Sequence, residues 1–316
     1  MRRPLIVILL TAVLVLAVVI AFRVGAAESS AVILREIRAP RIVMALMIGA
    51  GLGLAGTVMQ AITHNPLADP AIVGISGGAA LGAAAVIFLG VGFGSPVVAA
   101  AAVLVALLVA WAINLISRTE GRSEVVTLVL AGVAITAFAA AAVSVLVSTN
   151  TSPAIRSISF WTSGSLALST WSGITSVAPF VLVGVVIVAL ISGSLDPLSL
   201  GDRGAQAAGV DVTRTRVGGL AAVVLLVAAG VSVVGMIAFI GLVIPHAVRA
   251  VLGPQHRLLL LASAISGALV LLLADTAARV AVQPVEIPVG AITAIVGAPI
   301  FLVLLLRTRA QQGGWA

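Results

Sequence analysis

Leu5-Ile6-Val7-Ile8-Leu9-Leu10-Thr11-Ala12-Val13-Leu14-Val15-Leu16-Ala17-Val18-Val19-Ile20-Ala21-Phe22 runs for eighteen residues without a charge, behind Arg2 and Arg3 and ahead of Arg23. A hydrocarbon core about 30 Å thick takes roughly 20 residues of helix, so this stretch has the length of a membrane span. A secretory signal peptide starts in the same way, and Gly25-Ala26-Ala27 offers a small-residue cleavage region. The apolar part of a signal peptide usually stops at about 7 to 15 residues, however. The length therefore favours a first transmembrane helix.

The rest of the chain repeats the pattern. Of 316 residues, 61% are apolar and 9% charged, against about 25% charged in average proteins. Further apolar runs, bounded by Gly, Pro, Asn, Asp and Arg clusters, fall near 41 to 62, 71 to 90, 96 to 116, 125 to 147, 174 to 193, 217 to 235, 237 to 252, 257 to 278 and 287 to 306. The nearly continuous run from 217 to 252 is too long for one helix of ordinary tilt, and Gly235 is where it is split. The expectation is an all-α polytopic membrane protein of about ten transmembrane helices, a single transmembrane domain over residues 1–316.

All 17 basic residues are Arg, and Lys, Cys and Tyr are absent. Without Lys there is no Walker A lysine and no Schiff base; without Cys there is no disulfide, thiolate nucleophile or usual cluster ligand. The chain therefore has no P-loop with which to split ATP. The net charge of +7 would suggest nucleic acid in a soluble protein. Here no basic run exceeds two residues and aromatics are 4%, too few for stacking platforms, so no nucleic acid is expected and the Arg are read as flanking helices in lipid. With a cytoplasmic N-terminus, eleven Arg fall in inner segments and six in outer ones. Both termini are then cytoplasmic.

Several segments carry more than hydropathy. Gly49, Gly51, Gly53 and Gly56 in the second span, and Gly74, Gly78 and Gly82 in the third, suit close helix packing inside the bundle. Thr63-His64-Asn65-Pro66-Leu67-Ala68-Asp69-Pro70 is an inner turn, with Asp69 read as an N-cap for the next helix. Asn65 and Leu67 are also read as part of a cytoplasmic constriction on the substrate path. In the inner segment 195–215, Asp202 is expected to cap a short helix that Gly209 stops in the left-handed conformation. A compact cytoplasmic helix of small residues, on a chain without its own engine, suggests a contact for a separate motor subunit. Phe239 to His246 is read as a break in a span at proline, and Asp275 and Arg279, four apart, as an ion pair.

Other classes fit less well. A proton-driven carrier wants a chain of carboxylates through its core, whereas the acids here fall at span ends or in loops. An intramembrane enzyme wants a dyad or metal cluster; Ser144 and Ser232 lie within spans with no His in a recognisable motif, and His64, His246 and His256 have no second ligand at metal-site spacing. No catalytic residue, metal or cofactor is expected.

Seven segments in order resemble the FecCD (cobalamin-type) permeases of ABC importers for iron chelates, haem and cobalamin. They are Arg38-Ala39-Pro40-Arg41; Gln60 to Pro70, then Gly74-Ile75-Ser76-Gly77-Gly78-Ala79; Phe160-Trp161 with Gly164-Ser165-Leu166; Leu200-Gly201-Asp202 to Gly209-Val210; Gly241 to His246; Asp275 to Arg279; and Glu286 to Gly290 with Gly297-Ala298-Pro299. The resemblance implies a type II ABC importer permease bundle in a bacterial cytoplasmic membrane, in contact with membrane lipid. Two permease subunits, from the same chain or a paralogue, would surround the path above an ABC ATPase pair. It also implies that Leu200, Gly201, Asp202, Ala205, Ala208, Gly209 and Val210 couple to the ATPase. By the same similarity Arg38, Arg41 and Arg279 dock an extracytoplasmic substrate-binding protein. The segment from Ile155 to Leu166 looks most like haem-importing members, with Arg156 placed to meet a propionate. Haem is thus the favoured cargo, with ferric siderophore and cobalamin as alternatives. Val125 and Val126 stand where some members carry hydroxylic residues, so no inner gate is assigned there.

Overall fold

The computed structural model describes residues 2–24, 30–71, 73–116, 118, 119, 122, 123, 125–149, 161–282 and 285–311. Arg156 lies outside the described residues. Eleven α-helices occur among those described: α1 Arg2–Arg23, α2 Ala39–Ile62, α3 Ile75–Phe88, α4 Pro96–Ile116, α5 Val125–Ser148, α6 Trp171–Leu198, α7 Gly201–Ala207, α8 Val212–Val234, α9 Ile240–Leu252, α10 His256–Val280 and α11 Val289–Gln311. A π-helical turn, Ile33–Arg38, leads into α2, and Arg118–Thr119 pairs with Arg122–Ser123 as a minimal antiparallel hairpin. Each of the ten apolar runs is one helix, and α7 is the extra one between the sixth and seventh.

Eight of these helices are long and apolar enough to cross a membrane, while α3 and α9 are shorter. Their 14 and 13 residues reach only about 20 Å at 1.5 Å per residue. Each is short because irregular backbone precedes it. Asp69 does not cap α3. Its Oδ1 accepts from Ala71 N at 2.8 Å and so closes a turn ahead of the helix, and α3 begins at Ile75 behind Gly74. The break in the run from 217 to 252 lies at residues 235–239, not at Pro245, which sits inside α9. Gly235 has φ +73, and a Cβ there would collide with the carbonyl of Trp161, so the chain leaves α8 at a point only glycine permits. Backbone of this kind survives inside a membrane bundle only when its polar groups are partnered. Here Ser165 N donates to Val234 O at 2.8 Å and Gly290 N to Gly164 O at 2.9 Å.

Helix α2 is the axis of the bundle, buried along most of its length, with α10, α8 and α9 around it. A Cβ added at Gly49 or Gly53 would enter the backbone of Gly267 or Ser263 in α10, and one at Gly56 would enter Gly241 in α9. On α3, Gly78 and Gly82 meet Val109 and Val105 of α4. The small faces are therefore internal packing faces, where close approach of backbones replaces a hydrophobic driving force that lipid does not provide. Large apolar side chains point outward instead, among them Leu9, Leu104, Trp111, Leu190 and Ile295.

Candidate functional site

At one end of the bundle, helices α1, α2 and α10 are tied by charge. Arg41 Nε lies 2.9 and 3.1 Å from the Asp275 carboxylate oxygens, and its Nη1 lies 2.9 and 3.2 Å from those of Glu286. Arg279 Nε adds a 3.3 Å ion pair to Asp275 one turn away, as the spacing predicts. Arg38 donates to Phe22 O at 2.7 Å, and Arg279 to Val24 O at 3.1 Å and Ala21 O at 3.3 Å. The last carbonyls of α1 have no intrahelical donors. Two guanidinium groups supply donors there and set positive charge at the negative end of the helix dipole. The three arginines expected to dock a partner are thus brought together, but they are only 4%, 5% and 9% exposed and already engaged within the chain, around an Asp275 that is 0% exposed. Glu286, its side chain 39% exposed, is the accessible edge of the cluster. The contacts of Arg41 with Asp275 and Glu286 were not read from sequence. The available signal was topological, since all three residues fall in segments assigned to the same membrane face.

At the opposite end lies α7. Its C-terminus is a Schellman motif: Gly209 at φ +80 donates to Gln206 O at 2.9 Å, and Val210 N donates to Ala205 O at 2.9 Å, as a left-handed glycine at this place requires. Asp202 is not the N-cap. Leu200 occupies that position without a side-chain bond, and Asp202 instead forms a two-pronged pair with Arg216 of α8 at 2.8 and 2.9 Å. Of the seven residues assigned to coupling, Ala205 is fully buried against its own chain, Leu200 is 71% exposed, and Asp202, Ala208 and Gly209 are at the surface, with Gly201 and Val210 intermediate. Asp196, near the end of α6, accepts from the backbone N of His256 at 2.8 Å and so caps α10 from a neighbouring helix.

Between α2 and α3, the Asn65 side chain accepts from Leu67 N at 2.9 Å, which makes these two residues, expected on the substrate path, one tight unit. Further along this connection, Asp69 also takes a hydrogen bond from the backbone N of Phe239, and burial pushes its carboxyl up to about 6. Gln60, at the end of α2, donates to Leu242 O at 3.2 Å and accepts from Arg249 at 2.9 Å. The turn and the start of α9 are therefore one polar unit.

A cavity of about 310 Å³ lies between α3 and α5, lined by Gly77, Thr136, Ala140, Ser144, Thr162 and Met236. A second, of about 370 Å³, lies beside Met44, Ile87, Gly94, Thr170, Gly173 and Val233. Both fall at the lower end of small-molecule sites. Only the first adjoins the α5 surface on which Leu130, Val133 and Phe138 stand exposed.

Comparisons with known proteins bear on the family and the fold. The cobalamin import system permease protein BtuC of Halobacterium salinarum is 42% identical over 284 residues, 89% of this chain and 75% of the relative. The hemin transport system permease protein HmuU of Yersinia pestis is 39% identical over 285 residues, 88% and 84%. A solved chain described as an inward-facing metal-chelate type ABC transporter shares 32% of residues at a TM-score of 0.84, covering 96% of this chain and 99% of that one. PsaBC from Streptococcus pneumoniae, 16% identical, shares the fold at a TM-score of 0.64 over 84% and 90% of the two chains. The FecCD transport family matches residues 4–307, and the chain belongs to that family.

Proposed function

We propose that this chain is the transmembrane permease subunit of an ABC importer that takes up an iron chelate, with haem favoured, by ATP-driven alternating access. The observation that carries the reading is the family match over residues 4–307 on a chain without a single lysine for a P-loop of its own. A separate ATPase pair would sit beneath α7, where Leu200, Asp202 and Ala208 are presented at the surface. A second permease subunit, same chain or paralogue, would close the cavity between α3 and α5 into a path that Asn65 and Leu67 narrow on the cytoplasmic side. The excess of Arg on one side supports cytoplasmic termini in a bacterial cytoplasmic membrane.

An extracytoplasmic binding protein would dock over the Arg41 end. Because Arg38, Arg41 and Arg279 are held within the chain, docking through them means that carboxylates of the partner displace Glu286 from Arg41 or extend the cluster at its rim. Charge pairs of this sort set register and encounter rate. For cargo, relatives at similar identity are named for cobalamin, hemin and Fe(3+) dicitrate. The preference for haem rests on Arg156 and the segment around it. Ferric siderophore and cobalamin are the alternatives, and titration of the cognate binding protein with haem, ferric siderophores and cobalamin decides among them. Haem binding at least tenfold tighter (about 1.4 kcal/mol) supports the preference, and the reverse order overturns it.

Buried carboxylates also exist. Asp275 and Asp69 are both buried, which the sequence did not indicate. They stand at different levels of α2, Asp275 beside Arg41 and Asp69 beside the contact of Gly56 with Gly241, about 20 Å apart by helix rise, one held by arginines and the other by backbone N–H groups. They do not form the carboxylate chain of a proton-driven carrier.

A further inference from the structure

His64 is one of two non-glycine residues with positive φ among those described, at +50°. The left-handed region costs an ordinary side chain about 1 kcal/mol or more and persists where the surroundings over-determine it. Two contacts hold it. The ring Nε2 lies 2.6 Å from Leu198 O at the end of α6, and Nδ1 lies 3.4 Å from Arg216 Nη2 in the second turn of α8. A guanidinium only donates, so Nδ1 accepts, and Nε2 carries the hydrogen that is donated to Leu198. Arg216 is in turn gripped by both oxygens of Asp202 on α7. A continuous line thus runs from α7 through α8 to the turn between α2 and α3, with a branch to the end of α6. Asn65, next in sequence, holds Leu67 N, so a shift of His64 carries both path residues with it.

We propose that His64 is a positioning residue that, with Arg216, converts displacement of α7 into displacement of the turn from Thr63 to Pro70. The proposal rests on the reading of α7 as the motor contact and of this turn as the cytoplasmic constriction. An exposed pair such as Asp202 with Arg216 adds little to stability, so the line's importance lies in transmission and the test must read transmission.

The experiment uses the complete transporter, with its ATPase and binding protein, in proteoliposomes, and measures cargo taken up per ATP hydrolysed. His64→Gly removes both ring contacts while suiting the positive φ, so the fold is not endangered. It should assemble, hydrolyse ATP under binding-protein stimulation, and lose about fivefold or more in cargo per ATP, the scale of a coupling residue. His64→Gln, which keeps a donor and an acceptor, should recover most of the ratio. Arg216→Ala, at a half-buried position, should lower the ratio as His64→Gly does. A ratio within about twofold of wild type for both His64→Gly and Arg216→Ala overturns the relay. A wild-type chain that neither assembles with an ATPase nor imports cargo overturns the reading beneath it instead.

Discussion

At the scale of single residues, burial decides which charges matter. Asp275 is wholly enclosed and faces two guanidinium groups; Arg41→Ala removes both of its Arg41 hydrogen bonds, leaves it only the 3.3 Å Arg279 pair, and should destabilise the folded chain by about 3 kcal/mol, read as a fall in thermal midpoint in detergent. Glu286→Gln loses a half-exposed partner, and less than about 1 kcal/mol is expected. Equal losses from the two would contradict the assigned geometry. Asp69 gives a pH signature. Its folded-state value of about 6 stands above the ordinary 3.8, so the folded chain binds the proton more tightly than the unfolded one. Its share of stability is then highest below about pH 4 and falls as pH rises to about 6, by something like 3 kcal/mol. Asp69→Asn should remove that decline, which parallel denaturation curves of wild type and variant would reveal.

At the scale of elements, the sequence treated Gly49, Gly51, Gly53 and Gly56 alike, and the structure separates them. Gly56→Ala drives a methyl into the backbone of Gly241, whereas Gly51→Ala comes no closer than 3.7 Å to Leu226. The first should cost about 1–3 kcal/mol and the second close to nothing, in the same thermal assay. Ala205 of α7 and Ala208, which follows its last residue, divide in the same way. Ala205→Leu overpacks a buried position and should impair folding, while Ala208→Leu lies at the surface and should leave the chain folded but reduce its affinity for the ATPase. All ten apolar runs were legible because hydropathy over about 20 residues reflects lipid directly. The short lengths of α3 and α9 were not, because they depend on Gly235 meeting Trp161 and on Asp69 closing a turn, contacts between segments far apart in the chain. Asp202 illustrates the same limit: local pattern suited a cap, and an arginine fourteen residues away claimed the carboxylate.

At the scale of the whole molecule, charge is concentrated at the two ends and small residues fill the middle. The Arg41 end holds three helices together, and the other end links α7 to the turn that carries Asn65 and Leu67. Such a layout suits a device that receives cargo at one face and a mechanical push at the other. The outer arginines Arg38, Arg41 and Arg279 were legible through the resemblance, but their burial was not, since sequence does not reveal which acids lie opposite. The most direct test of the central claim is ATP-driven uptake by proteoliposomes containing this chain, the ATPase from its own operon and the matching binding protein. Cargo accumulation that requires ATP, the P-loop partner and the binding protein together is the predicted result; accumulation driven by an ion gradient without the ATPase would contradict it.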